Sequence, residues 1–125
     1  AAHVHADRDQ IKQVLLNVIH NAIDASPVDG AAIDVTAFEL SSQERPGIVV
    51  LVKDAGVGIS SEVLPHVFEP FYTTGKRHGT GLGLAICRNI IESHGGDIHM
   101  TSEPGKGTSV RIWLPLSQDV LAVKG

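Results

Sequence analysis

The sequence predicts an α+β fold, a two-layer sandwich, on three observations. Residues 11–23 and 82–94 read as long helices. Four other stretches are apolar in alternation or continuously, as strands are. Those strands come in two sequential pairs, each joined by a short polar connection containing Pro or Gly. The expected architecture is a mixed, mostly antiparallel sheet of about five strands covered on one face by three helices.

The first helix rests on Ile11, Val14, Leu15, Val18, Ile19, Ala22 and Ile23, which form one broad apolar face. Asp7 is its expected N-cap, with Gln10 as capping-box partner, and Ser26-Pro27 ends it. Ile33-Asp34-Val35-Thr36-Ala37 alternates as a half-buried strand. Gly47–Lys53 is continuously apolar as a central strand, and residues 41–46 form the hairpin loop between them. Ser60–Val67 is a short helix candidate capped by Ser60 or Ser61. Tyr72–Gly79 is polar and contains glycine, so it is expected to be an exposed loop. Leu82–His94 is the second long helix, stopped by Gly95-Gly96. Residues 98–102 and 109–114 alternate as two strands around Glu103-Pro104-Gly105-Lys106-Gly107, and Val4-His5-Ala6 adds a short edge strand. One domain over residues 1–116 and a tail over 117–125 account for the chain.

Composition narrows the function classes. The chain has 125 residues, 42% hydrophobic and 19% charged, which suits one self-sufficient core. Its longest apolar run, Ile48–Val52, is far short of the ~20 residues of a membrane span. One cysteine, Cys87, precludes an internal disulfide and a Cys-rich zinc site. A formal charge of −4 and five aromatic residues speak against nucleic acid as a partner. The mild excess is glycine, 13 residues, gathered mostly from Gly47 onward. Glycine is used where backbone turns sharply or approaches something closely.

Four motifs carry possible chemistry. Asn17, Asn21 and Asp24 lie at i, i+4, i+7 on one stripe of the first helix. By itself the stripe reads as a solvated face, and the other reading is a row of oxygen ligands for a hard cation such as Mg²⁺. Asp54-Ala55-Gly56-Val57-Gly58-Ile59 follows the central strand, either as a tight turn or as a carboxylate beside a close backbone approach. Phe68-Glu69-Pro70-Phe71 reads as a hydrophobic plug, with Lys76, Arg77 and His78 following in the loop. Gly79-Thr80-Gly81-Leu82-Gly83-Leu84 runs into a helix N-terminus, where backbone N–H groups suit a phosphate. The dinucleotide fingerprint fails at Leu84, and the Walker pattern fails at both Gly-Lys pairs.

In this order and spacing, the motifs resemble the N box, Asp-Gly box, F box and Gly-rich box of the ATP-binding domain of bacterial sensor histidine kinases. This domain is part of the wider GHKL ATPase superfamily with its Bergerat fold. Asp24 stands where many members carry Lys or Arg; an Asp there is similar to nitrogen-regulation-type kinases and to gyrase-like ATPases, and the subtype expected is nitrogen-regulation-like. The resemblance implies that Asn21 holds Mg²⁺ against the ATP phosphates and that Asp54 accepts the adenine amino group. Thr108 would join Asp54 around a water. Gly56 and Gly58 would let adenine approach, and residues 72–78 would form a mobile lid. The implied nucleotide-binding set is Asn21, Asp24, Asp54, Gly56, Gly58, Ile59, Phe71, Lys76, Gly79, Thr80, Gly81, Leu82, Gly83, Leu84 and Thr108. Asn17 and Asn21 are the implied catalytic pair. Asn17 stands where gyrase-like members carry a water-activating Glu, and an amide is no general base at neutral pH. That favours phosphoryl transfer to another nucleophile over hydrolysis.

None of the seven histidines is followed by an acidic residue, as the family's phosphorylated histidine usually is. The acceptor is therefore expected on a separate dimerisation domain, with a response regulator downstream, and Ala1 reads as a boundary inside a longer protein. A monomeric, cytoplasmic domain is implied, in a parent that is either soluble or membrane-anchored. An ATP hydrolase and a non-catalytic nucleotide-binding module are the alternatives.

Overall fold

The computed structural model describes residues 6–25, 33–70 and 83–116. Among them the elements run α1 (Arg8–Ala25), β1 (Ile33–Glu39), β2 (Gly47–Asp54), a 3₁₀ turn (Leu64–His66), α2 (Gly83–Ser93), β3 (Asp97–Glu103) and β4 (Gly107–Pro115). The four strands form one antiparallel sheet in the order β1-β2-β4-β3. The two-layer α+β expectation holds, with smaller counts: two α-helices and four strands among the described residues, all antiparallel. Residues 4 and 5 of the expected edge strand, the helix stop at Ser26-Pro27 and the tail from 117 lie outside the described residues.

The expected third helix is instead a series of turns. Ser60 does cap it, its Oγ and carbonyl both accepting the Val63 N–H at 3.3 and 3.1 Å. Pro65 then intervenes without an N–H to give, and His66 N–H bonds back to Val63 O in the tighter i→i−3 pattern at 2.9 Å. Leu64 N–H still bonds Ser60 O in the α-helical i→i−4 pattern at 2.9 Å, but past Pro65 the bonds tighten to i→i−3.

The N-cap of α1 is as expected at Asp7, whose Oδ1 accepts from the N–H groups of Asp9 and Gln10 at 3.0 and 3.1 Å. The reciprocal half of the box is different. The Asp7 N–H donates to His94 Nε2 at 3.1 Å, and His94 Nδ1 bonds Ile90 O at 2.7 Å. The long-range partner displaces Gln10 and ties the start of α1 to the end of α2.

Even-numbered residues of β2 and β4 face the helices. Val52, Val110, Ile112 and Leu114 meet Val14, Val18 and Ala22 of α1 and Cys87, Ile90 and Ile91 of α2 in one core. Each fully buried aliphatic side chain there is worth roughly 1.5–3 kcal/mol. The opposite face is not simply solvated. Val49 and Trp113 pair across it and are 0% and 5% exposed. The Trp113 ring lies over Gly47, where a Cβ would sit 2.2 Å from ring atoms, and its Nε1–H donates to Leu40 O at 2.8 Å. Only a residue without a side chain leaves space for that ring.

Candidate functional site

Strand register creates the site. Pairing places Asp54 opposite Thr108 on β4, and Thr108 opposite Ser102 on β3. All three belong to one cross-sheet row on the helix-facing side, at the end of β2. Above this row, α1 contributes Val18, Asn21 and Ala22. Together with Val52, Ile59, Met100 and Val110, these residues line a cleft between sheet and helix.

Asp54 is held rather than loose. Its Oδ1 accepts the Gly56 N–H at 2.8 Å and the Thr108 N–H at 3.2 Å. Both bonds go to the same oxygen, so Oδ2 is the acceptor left for the cleft. Such a carboxylate suits a ligand that offers N–H donors.

The loop after β2 is fastened at three points. Val57 N–H donates to Ala25 O at 3.0 Å, Gly105 N–H donates to Val57 O at 2.8 Å, and Ile59 N–H donates to Ser102 Oγ at 2.7 Å. The two glycines of this loop face the protein itself. A Cβ on Gly56 would lie 2.3 Å from Ala25 O, and one on Gly58 would lie 2.1 Å from Glu103 O. Their close approaches are to the end of α1 and to the β3–β4 hairpin. A role in admitting adenine is not what these contacts require.

The stripe on α1 divides. Asn21 lines the cleft and Asp24 is exposed. Asn17 is turned to the helix–helix contact, where its Nδ2 donates to Cys87 Sγ at 3.6 Å. The structure therefore brings Asn21, Asp54, Ile59 and Thr108 together and leaves Asn17 outside the cleft lining. Gly83 begins α2 with open space around its Cα, while Leu84 is 7% exposed and packs inward. Phe71, Lys76, Gly79, Thr80, Gly81 and Leu82 lie outside the described residues.

Cys87 is fully buried, and burial pushes its thiol pKa up, opposed in part by the Asn17 hydrogen bond. It is expected to resist a thiol reagent such as iodoacetamide in the native protein and to react fully in denaturant. Labelling followed by mass spectrometry checks this, and rapid native labelling would contradict the packing described.

ATP and Mg²⁺ are the groups the motifs imply, and the donor set fits both. The held carboxylate offers an acceptor at the cleft floor, and the Asn21 carboxamide offers one neutral oxygen donor at its wall. Among the described residues no cluster of three His, Cys, Asp or Glu could cage a metal by itself. One protein oxygen plus phosphates and waters is a usual Mg²⁺ arrangement.

Comparison with known proteins gives the family. The family described as "Histidine kinase-, DNA gyrase B-, and HSP90-like ATPase" matches residues 6–118. The chain belongs to this family. Within it, the sensor histidine kinase ZraS of Escherichia coli K12 is 45% identical over 114 residues, which are 91% of this chain and 23% of ZraS. The histidine kinase-like ATPase fold is also found in the mycobacterial sensor histidine kinase MprB (TM-score 0.78, 30% identity, 90% of this chain and 74% of that one). Full-length ShkA, solved in complex with AMPPNP, superposes with TM-score 0.78 at 27% identity over 94% of this chain and 24% of its own. The chain thus spans about a quarter of ZraS and of ShkA. Among the described residues no helix is long and apolar enough to cross a membrane.

Proposed function

We propose that this domain is the ATP-binding catalytic unit of a sensor histidine kinase, holding Mg-ATP and passing the γ-phosphoryl group to a histidine on a separate dimerisation domain. The observation that carries the reading is Asp54, a residue of the cleft lining whose Oδ1 is taken by two backbone N–H groups, which leaves Oδ2 as its free acceptor. Support comes also from the AMPPNP complex of ShkA, a relative of the same fold.

In this reading Asp54 accepts the adenine amino group, and Thr108 sits beside it. Asn21 supplies the protein oxygen to Mg²⁺, and the start of α2 at Gly83 faces the phosphates. Bound Mg-ATP provides the transferable group and much of the charge neutralisation. The chain contributes chiefly binding and orientation, which is what phosphoryl transfer needs. The P–O bond to ADP breaks as the bond to an imidazole nitrogen forms. Asn17, an amide turned toward Cys87, activates no water, so transfer is favoured over hydrolysis. Asp24 on the exposed side of α1 favours a nitrogen-regulation-like subtype. A response regulator would receive the phosphoryl group in turn.

The test combines this chain, a separately prepared dimerisation domain of its parent protein, and Mg-ATP. Acid-labile phosphohistidine on the second polypeptide is the expected result. Phosphate release without transfer would instead indicate a hydrolase, and tight ATP binding with neither outcome a non-catalytic module.

A further inference from the structure

The Ser102 hydroxyl belongs to none of the motifs, yet it has three partners. Ile59 N–H lies 2.7 Å from Ser102 Oγ, Gly107 O lies 2.9 Å away and Thr108 Oγ1 lies 2.8 Å away. Their chemistry assigns the protons. An N–H can only donate, so Ile59 donates to Ser102. A carbonyl can only accept, so the single Ser102 proton goes to Gly107 O. Thr108 must then donate its own proton to Ser102. The reverse assignment would leave two oxygens 2.9 Å apart with no proton between them.

From this we infer that Ser102 is a positioning residue that fixes the polarity of the nucleotide cleft. With its proton spent on Ser102, Thr108 Oγ1 offers the cleft only lone pairs. Asp54 likewise offers only Oδ2, because Oδ1 is occupied by two N–H groups. The floor of the cleft is acceptor-only. It takes a purine carrying an amino group at position 6, directly or through one water that donates to the floor. A purine carrying a 6-oxo group would set acceptor against acceptor at that position, leaving its N1–H as the one donor on that edge. Thr108 is only 8% exposed, so bulk water offers its hydroxyl little alternative partner. A site of this kind discriminates strongly, since the wrong ligand leaves buried polar groups unpaired.

The inference rests on the adenine reading of the cleft, and the experiment separates the two. ATP and ITP, which differ in the 6-amino or 6-oxo group and in the proton at N1, are titrated calorimetrically into the wild-type chain and its Ser102→Ala and Ser102→Thr variants. In Ser102→Ala the Thr108 hydroxyl is free to turn and donate to a 6-oxo group. The ratio of ITP to ATP dissociation constants is expected to fall about tenfold. Ser102→Thr, which keeps the hydroxyl, restores the ratio. An equal weakening toward both nucleotides in Ser102→Ala, with the ratio unchanged, would reduce Ser102 to a structural tie and overturn the inference. A wild-type chain that does not prefer ATP to ITP would instead sink the adenine reading itself.

Discussion

Asp54→Asn is expected to weaken ATP binding by about 100-fold or more while leaving the fold nearly as stable. The reason lies in which oxygen is already used. Oδ1 accepts the Gly56 and Thr108 N–H groups, and an Asn side chain can keep both bonds only through its carbonyl oxygen. Its amide NH₂ must then point into the cleft, setting donor against donor wherever an adenine amino group would lie. Charge is lost and polarity is inverted at once. Because the two loop bonds survive, the melting temperature should shift by little. ITP, whose 6-oxo group accepts, should lose less affinity than ATP. Calorimetric titration of both nucleotides with a parallel thermal melt measures all three quantities. Unchanged ATP affinity in a folded variant would remove Asp54 from the adenine site.

Most of the fold was legible because each element has a local cause. The alternation of 98–102 and 109–114 around a Gly-containing connection specifies a hairpin, and β3 and β4 pair in that register. The continuous apolar run of β2 marks a central strand, and β2 is flanked on both sides. What failed was decided at a distance. Gln10 fits a capping box locally, but His94 reaches the same N–H from 87 residues away. The helix candidate at 60–67 had a good cap, and Pro65 outweighed it.

The site was legible to a similar limit. The family resemblance marked Asn21, Asp54 and Thr108, and strand register with the α1 packing brings them to one cleft. Asn17 shares the stripe of Asn21 by helical spacing, but a stripe one turn long already spans two surroundings. The lower turn faces the cleft and the upper one faces α2. Ser102 has no motif to announce it. It could have been found by counting the hairpin register outward from Gly105, which sets Ser102 opposite Thr108. The glycines of the Asp-Gly loop were noticed for the right property, close approach, but sequence alone does not say to what.

Gly58→Ala tests that distinction, with Gly105→Ala as its control. Both glycines have φ of +76°, so an alanine at either meets the same left-handed strain, roughly 1–2 kcal/mol. Their surroundings differ. A Cβ at Gly105 has nothing within 4 Å, whereas at Gly58 it would lie 2.1 Å from Glu103 O and 2.9 Å from Pro104 Cα. Both of those are backbone atoms of the hairpin, which no rotamer change can move aside. To admit the methyl, the loop and hairpin must separate. That stretches the Gly105 N–H bond to Val57 O and the Ile59 N–H bond to Ser102 Oγ. Gly58→Ala should therefore cost about 2–4 kcal/mol, against about 1 kcal/mol for Gly105→Ala, by urea denaturation. A domain of this size has only about 5–15 kcal/mol in hand. Nucleotide affinity should fall in Gly58→Ala and hold in Gly105→Ala, because only the former pulls Ile59 off Ser102. Equal destabilisation in the two variants would mean that backbone conformation alone, not contact with the hairpin, requires glycine at 58.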